Sequence, residues 1–176
     1  MTQQSTTLAN FLYWLCTVLL VALPVTALGY VIMAQPTPDI AADLYPDFKI
    51  LAPPPATAFW AANAIGLLGV LLIWWLIFRL KALFNAYRKG AALTHRCAEL
   101  LRSCGHTLLA MAILKLLSHP ALTLLLTMGN PEGQRELSIA INDSEIAFLL
   151  AAGLISLIGQ AMQDAAKNAQ EIKEFV

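Results

Sequence analysis

The chain has 176 residues, of which 59% are hydrophobic and only 12% are charged, and its formal net charge is zero. Soluble domains carry about 25% charged residues, so a chain this apolar cannot cover its surface with polar groups and needs lipid as its solvent. The composition therefore excludes a soluble enzyme, and the zero net charge gives no reason to expect direct binding to nucleic acid.

Four apolar segments are long enough to cross a bilayer, because a hydrocarbon core of ~30 Å takes about 20 helical residues. Lipid offers no hydrogen-bond partners to the backbone, so each segment is predicted to be a helix. The segments cover about 10–34, 56–78, 104–128 and 146–162. No basic residue precedes the first, and it exceeds the ~7–15-residue apolar core of a secretory signal, which favours a retained helix over a cleaved one.

Basic residues indicate the orientation, because they concentrate on the cytoplasmic side of membrane proteins. The connection 79–103 contains six: Arg79, Lys81, Arg88, Lys89, Arg96 and Arg102. The loops on the other side contain only Lys49 and Arg135. We therefore expect both termini to be cytoplasmic, in an all-α integral membrane protein of four transmembrane helices that forms one four-helix bundle domain.

The two outer loops predict a small extended or β-like cap on the extracytoplasmic side. The first loop is rich in proline, which prevents a helix, and 45–51 is a candidate strand. In the second loop, 130–133 reads Asn-Pro-Glu-Gly, a turn signal. Apolar and polar residues then alternate over 136–141, a period typical of a strand. The alternative is two loops without regular structure.

On the inner side, local signals predict that the helices continue beyond the membrane. The second helix is expected to end at Gly90, since glycine commonly follows a helix C-terminus. Thr94 then suits the N-cap of a helix that leads into the third span. Residues 163–176 repeat apolar side chains at helical spacing and predict a cytoplasmic tail helix.

Lys115 is the most unusual residue, because it lies ~15 Å into the third span, close to the midplane. A charge there costs roughly 2.5–3.5 kcal/mol on insertion scales. We expect no carboxylate at this depth, so Ser156 and Gln160 of the fourth span are the nearest polar candidates. His119 follows one turn later on the same face. These four residues are a candidate intramembrane site for an ion or ligand. The alternative is a lysine that snorkels inward and a histidine satisfied locally beside Pro120.

Small residues on two spans permit close approach of helices in lipid. They are Ala62, Gly66 and Gly69 on the second span, and Ala152, Gly153, Ser156 and Gly159 on the fourth. Two explanations are open at this point. Either these residues pack the helices of one chain together, or they form the interface of a homodimer.

The sequence contains no motif for catalysis, for a metal or for a cofactor. Cys16, Cys97 and Cys104 lack the close pairing of a zinc site or of a disulfide framework. All three histidines fall on one segment, so a haem held by histidines on facing helices is excluded for one chain. A phosphate-binding loop and paired catalytic carboxylates are also missing. We therefore predict that the chain is not an enzyme.

A family resemblance rests on the run 84–90, Phe-Asn-Ala-Tyr-Arg-Lys-Gly, followed by Leu93-Thr94, Leu101-Arg102 and Gly105. This run resembles the middle of a bacterial membrane-protein family known as domain of unknown function 2975. The segments 130–135, 143–145 and 160–162 resemble its second half, so the similarity covers about 78–176, and the first two spans match by hydropathy alone. The family often has an Asn-like residue where Cys97 stands, and its third span usually lacks a central lysine.

The resemblance implies four helices in the bacterial inner membrane and no enzymatic activity. Some members occur beside small helix-turn-helix regulators, which implies a sensor or anti-repressor-like partner of a cytoplasmic regulator; a shared fold does not by itself fix this function. The alternatives are a small transporter or channel that uses Lys115 and His119, and an accessory subunit of a membrane complex.

The basic connection is expected to divide its contacts between lipid and protein. Its residues at the ends of the spans, Arg79, Lys81 and Arg102, should meet the headgroups of an anionic membrane surface. Arg88 and Lys89 should lie ~15 Å further out, where salt screens the attraction of lipid and an acidic partner surface can bind them.

Overall fold

The structure, a computed structural model, describes residues 3–33, 54–89, 94–131 and 143–174. These residues form four helices: α1 (Gln3–Met33), α2 (Ala56–Arg88), α3 (His95–Thr127) and α4 (Asp143–Glu174). Each helix contains a stretch long and apolar enough to cross a membrane. The chain is therefore a multi-pass membrane protein, as its composition predicts. The described ranges contain no strand, and both predicted strands of the cap lie outside them.

The helix ends agree with the local signals wherever these fall on described residues. Helix α2 continues past its apolar stretch to Arg88 and ends just before Gly90, which itself lies outside the described ranges. Thr94 caps α3: its side-chain oxygen accepts a hydrogen bond from the Cys97 N–H at 3.4 Å. Helix α4 runs unbroken into the predicted tail and ends at Glu174.

Neighbouring helices run antiparallel. The Tyr30 hydroxyl of α1 donates to Asn63 Oδ1 of α2 at 2.8 Å, and Trp74 Nε1 of α2 donates to the Leu20 carbonyl at 3.1 Å. Residue numbers thus rise along α1 as they fall along α2. The α2–α3 and α3–α4 pairs are antiparallel in the same way. The start of α1, the connection of α2 to α3 and the end of α4 therefore lie together. We call this the basic end, because it carries the six basic residues of 79–102.

Among the described residues the helices pack in chain order as an open row, and the predicted four-helix bundle stays a prediction. Extensive contacts join α1 to α2, α2 to α3 and α3 to α4, but no other pair of helices in these ranges. Each helix consequently leaves large apolar side chains on the surface. Examples, one from each helix, are Trp14, Leu71, Leu117 and Leu150. Lipid tails are as apolar as these side chains, so a bilayer imposes no need to close the row.

The closest helix contact joins α3 to α4, and it depends on two glycines. A Cβ added at Gly105 would lie 2.5 Å from the backbone of Ser156, and one at Gly159 would lie 2.5 Å from the backbone of Arg102. Ala152, two turns from Gly159 on α4, is also buried. These small residues therefore pack helices of the same chain.

The other predicted glycines make no such contact. A Cβ at Gly66, Gly69 or Gly153 would meet no atom within 4 Å among the described residues. Their exposed faces remain open to lipid or to a second chain.

At the basic end, a small core joins α2 to α3. Leu83, Cys97 and Leu100 are buried there, and Tyr87 and Leu101 pack against them. This cluster extends the α2–α3 contact beyond the apolar stretches, so packing joins the end of α2 to the start of α3. All three cysteines of the chain are free and buried.

Candidate functional site

An ion pair joins α3 to the first turn of α4. Lys115 Nζ lies 3.5 Å from Glu145 Oε1. The glutamate side chain is only 12% exposed, whereas that of the lysine is 64% exposed. A direct hydrogen bond between an ammonium and a carboxylate is about 2.7–2.9 Å long, so this pair is loosely joined and the lysine remains accessible.

The prediction that no carboxylate lies at the depth of Lys115 is wrong. The fourth apolar stretch begins at Ile146, which suggested that Glu145 belongs to the outer loop. However, α4 is displaced along α3 toward the basic end, since Ser156 packs on Gly105 and Gly159 packs on Arg102. From Lys115, α3 continues to Thr127, about 18 Å further. Glu145 therefore lies alongside α3 at the level of Lys115, rather than beyond the end of α3.

The buried carboxylate gives this pair its energetic importance. Glu145 Oε2 is buried and has no hydrogen-bond partner among the described residues. Ionised groups inside a membrane are costly, and they usually pair with one another and mark functional sites. Removing one partner of such a pair leaves the other charge uncompensated. Lys115 thus offsets the cost of a carboxylate held on the first turn of α4.

The four predicted members of the intramembrane site do not lie together. His119 is one turn beyond Lys115, and its carbonyl accepts a hydrogen bond from the Thr123 hydroxyl at 2.7 Å. Ser156 lies opposite Gly105, about 15 Å from Lys115 along α3, with its Oγ 3.5 Å from His106 Nδ1. Gln160 is exposed on α4. Sequence reasoning missed Glu145, and only its position at the edge of the fourth apolar stretch could have drawn attention to it.

A groove of about 350 Å³ opens beside the ion pair, between α2 and α3. Its walls are mainly apolar, and its polar lining consists of Lys115 and Ser118. Gly66 and Gly69 of α2 form part of the wall and keep the groove wide, because neither carries a side chain. The ammonium of Lys115 is therefore reachable from a cavity of the size that ligand sites commonly have, ~300–1,000 Å³.

The basic end is held by contacts between cations and aromatic rings. Arg79 Cζ lies 4.8 Å from the centre of the Trp75 ring. Lys81 Nζ and Arg88 Cζ both lie over the Tyr13 ring of α1, at 5.2 and 4.5 Å from its centre. Arg88 thus shares the Tyr13 ring with Lys81 although it is itself exposed, as are Lys89 and Arg96.

The sixth basic residue links α3 to the tail of α4. Arg102 Nη1 donates to Gln163 Oε1 at 3.0 Å, and Gln163 Nε2 lies 3.4 Å from His95 Nε2. His95 is the first residue of α3, so Gln163 fastens the start of the tail to the basic end. Asp164 and Lys167 follow on exposed positions.

Comparison with known proteins finds no matching family model, no matching curated protein and no matching solved structure. The resemblance to domain of unknown function 2975 therefore stays a prediction, and function must be argued from geometry. Among the described residues, no three His, Cys, Asp or Glu side chains are grouped so that they could hold a metal ion. The described residues offer three features on which a function could depend: the ion pair, the α3–α4 contact and the basic end.

Proposed function

We propose that this chain is a non-enzymatic protein of the bacterial inner membrane that senses a change within the membrane and transmits it to a cytoplasmic regulator. The observation that carries the proposal is the α3–α4 contact. It begins at an intramembrane ion pair between Lys115 and Glu145, passes two obligatory glycines and ends at Gln163, where the tail starts. One rigid pair of helices thus connects a charge in the membrane to a helix outside it.

The proposed orientation places both termini and the basic end in the cytoplasm. Six basic residues lie between α2 and α3 or at their ends, and such residues resist transfer across the membrane. Asp143 and Glu145, on the first turn of α4, are acidic. The antiparallel order of the four helices brings both termini to the same side.

The ion pair supplies the sensing step. A ligand that competes for Lys115 removes the attraction between α3 and the first turn of α4. Because glycine contacts hold the helices at backbone distance, α4 responds by moving as a whole rather than by bending locally. Its tail then moves relative to His95 and Arg102, which changes the surface offered to a partner.

The partner is proposed to be a small helix-turn-helix regulator, as the family resemblance implies. The tail offers it a helix with exposed polar residues such as Asp164 and Lys167. Lys89 and Arg96 are exposed nearby on the basic end. We propose no direct contact between this chain and nucleic acid, since its net charge is zero.

Co-purification from bacterial cells tests the proposal. The full chain should recover a cytoplasmic regulator, and a version truncated after Gln163 should not, with both reaching the membrane in equal amounts. Glu145→Gln keeps the tail but removes the ion pair, so it should change the amount of regulator recovered without abolishing membrane insertion. Recovery of the same proteins with and without the tail would exclude the sensor function.

The second candidate is a small transporter or channel, favoured by the open groove beside an accessible Lys115. Proteoliposomes that contain the purified chain should then pass an ion or a solute, and Lys115→Leu should stop the flux. His119 would contribute as a neighbour one turn away. A chain without flux, whose Lys115→Leu variant works normally in cells, would remove this candidate.

A homodimer or an accessory subunit of a membrane complex is supported by the open row. Gly66, Gly69 and Gly153 face no described atom within 4 Å, so another helix could approach them closely. Native-gel migration after gentle solubilisation distinguishes the cases, because a dimer has twice the mass of the chain and a complex has more. Substituting Gly153 with Leu should shift the band only if that face of α4 is an interface.

A further inference from the structure

Two cations converge on one aromatic ring at the basic end. Lys81 Nζ and Arg88 Cζ are 5.2 and 4.5 Å from the centre of the Tyr13 ring, so their separation is no greater than about a Debye length, ~10 Å at 0.1 M salt. Neither is within ion-pair distance of a carboxylate among the described residues. Two like charges this close repel each other, and a bound anion would remove the repulsion.

The two cations lie on the same stripe of α2 as an interfacial tryptophan. Residues spaced by seven, about two helical turns, lie on one side of a helix. On α2 this stripe consists of Leu67, Trp74, Lys81 and Arg88. Trp74 Nε1 donates to the Leu20 carbonyl of α1, which ties this stripe to α1. The apolar stretch of α2 ends at Phe78, so Trp74 marks the membrane interface, where tryptophan is enriched. Lys81 follows three residues after Phe78, at headgroup level, and the Arg88 side chain reaches back to the same Tyr13 ring.

Below Trp74, α1 and α2 enclose a groove of about 480 Å³ whose lining is entirely apolar. It is lined by Pro24, Ala27 and Leu28 of α1 and by Leu67, Leu71 and Trp74 of α2. Lys81 is about 10 Å from Trp74 along the helix. A polar layer of about 5–8 Å separates the hydrocarbon core from water on each side of a bilayer. The cations and the groove are thus spaced like the phosphate and the acyl chain of one lipid.

We propose that α1 and α2 bind one anionic phospholipid from the leaflet at the basic end. Its phosphate lies between Lys81 and Arg88, beside Tyr13, and one acyl chain fills the groove beneath Trp74. Arginine and lysine are the usual ligands of phosphate oxygens. Among the described residues no carboxylate pairs with these cations, so this part of the chain offers no charge that would favour the ammonium of a zwitterionic headgroup. The site stands independently of the proposed regulator, because it uses neither the tail nor the ion pair.

Native mass spectrometry of the purified full chain tests the site. The delipidated protein is incubated with phosphatidylglycerol or with phosphatidylcholine of the same acyl chains, and the lipid that stays bound is counted. We expect a clear preference for phosphatidylglycerol. Lys81→Gln with Arg88→Gln should weaken that binding roughly tenfold or more. The control pair, Lys89→Gln with Arg96→Gln, makes the same charge change on residues away from the Tyr13 ring and should keep the preference.

The groove is tested separately. Ala27→Phe fills it and should lower retention of phosphatidylglycerol, whereas Val25→Phe on the exposed side of α1 should not; circular dichroism verifies that both variants fold. Equal binding of phosphatidylglycerol and phosphatidylcholine would overturn the proposal. So would an equal loss of phosphatidylglycerol binding in the two double variants, since the lipid would then be attracted by the overall positive charge and not by one site. Inorganic phosphate that displaces the lipid at millimolar concentration would also overturn it, because the acyl chain would then contribute nothing.

Discussion

Lys115 Nζ lies 3.5 Å from Glu145 Oε1, yet the glutamate is nearly enclosed and the lysine is largely accessible. This asymmetry predicts unequal effects of breaking the pair. Lys115→Leu leaves a buried carboxylate alone and should destabilise the protein by about 1–3 kcal/mol. Glu145→Gln should cost less, because an accessible lysine can reach toward the interface. Thermal unfolding in detergent measures both changes.

The double variant Lys115→Leu with Glu145→Leu serves as the control for this prediction. It removes both charges, so its stability should return close to that of the unmodified chain. If Glu145→Gln were as damaging as Lys115→Leu, or if the double variant were worse than either, the attraction between the two side chains would not be what stabilises this part of α3 and α4.

The α3–α4 contact should not tolerate side chains at its two glycines. Gly105→Ala and Gly159→Ala each place a Cβ 2.5 Å from the backbone of the facing helix, and such overpacking costs about 1–3 kcal/mol. Gly153→Ala, on the same helix as Gly159 but without a neighbour within 4 Å, should be neutral or slightly stabilising. The midpoints of thermal unfolding of the three variants test this prediction. If Gly153→Ala lowered the midpoint as much as Gly159→Ala, the glycines would not be required by a close α3–α4 contact.

The N-cap of α3 offers a smaller and more local test. The Thr94 side chain accepts from the Cys97 N–H at 3.4 Å, and replacing a capping hydroxyl by Ala typically costs about 0.5–2 kcal/mol. Thr94→Ala should therefore lower stability modestly, whereas Thr94→Ser keeps the oxygen and should not. Equal stability of the two variants would mean that the cap bond contributes nothing.

Local signals in the sequence identify the helices, but they do not determine how the helices are displaced relative to one another. Apolar length predicts each span, and Thr94 predicts a helix start, because both depend on neighbours along the chain. The displacement of α4 depends on contacts between residues far apart in sequence, Gly105 with Ser156 and Arg102 with Gly159. That displacement brings Glu145 to Lys115, so the partner of the buried charge could not be found from spacing alone.

The same limit applies to the basic end and to the shape of the molecule. Depth along a straight helix predicted that Arg88 projects away from the membrane, but its long side chain lies over Tyr13 of α1. Aromatic rings attract guanidinium groups. Such a contact can be predicted only when it is known which helix lies next to the arginine. Likewise, composition predicts that the chain needs lipid, but it does not distinguish an open row from a closed bundle, since lipid and side chains are alternative apolar partners.

The contact of Gln163 with Arg102 and His95 predicts that this one residue controls the mobility of the tail. Without it, the helix beyond residue 163 loses its polar link to α3 at 3.0 Å and should open more often, since helix ends with few tertiary contacts fray most easily. Gln163→Ala should therefore speed amide hydrogen exchange in 164–174 severalfold. Exchange in 146–160 should stay unchanged, because the glycine contacts that hold that part of α4 remain.

Gln160→Ala is the matched control, since it removes the same side chain from an exposed position one turn earlier. It should leave exchange in the tail as it is in the unmodified chain. Equal exchange in the two variants would mean that Gln163 does not fasten the tail. Faster exchange along the whole of α4 in Gln163→Ala would instead mean that the tail and the membrane-embedded part open as one unit. If Gln163 does not fasten the tail, nothing among the described contacts joins α3 to the tail. The proposed sensor would then have no connection between the ion pair and the surface offered to its partner.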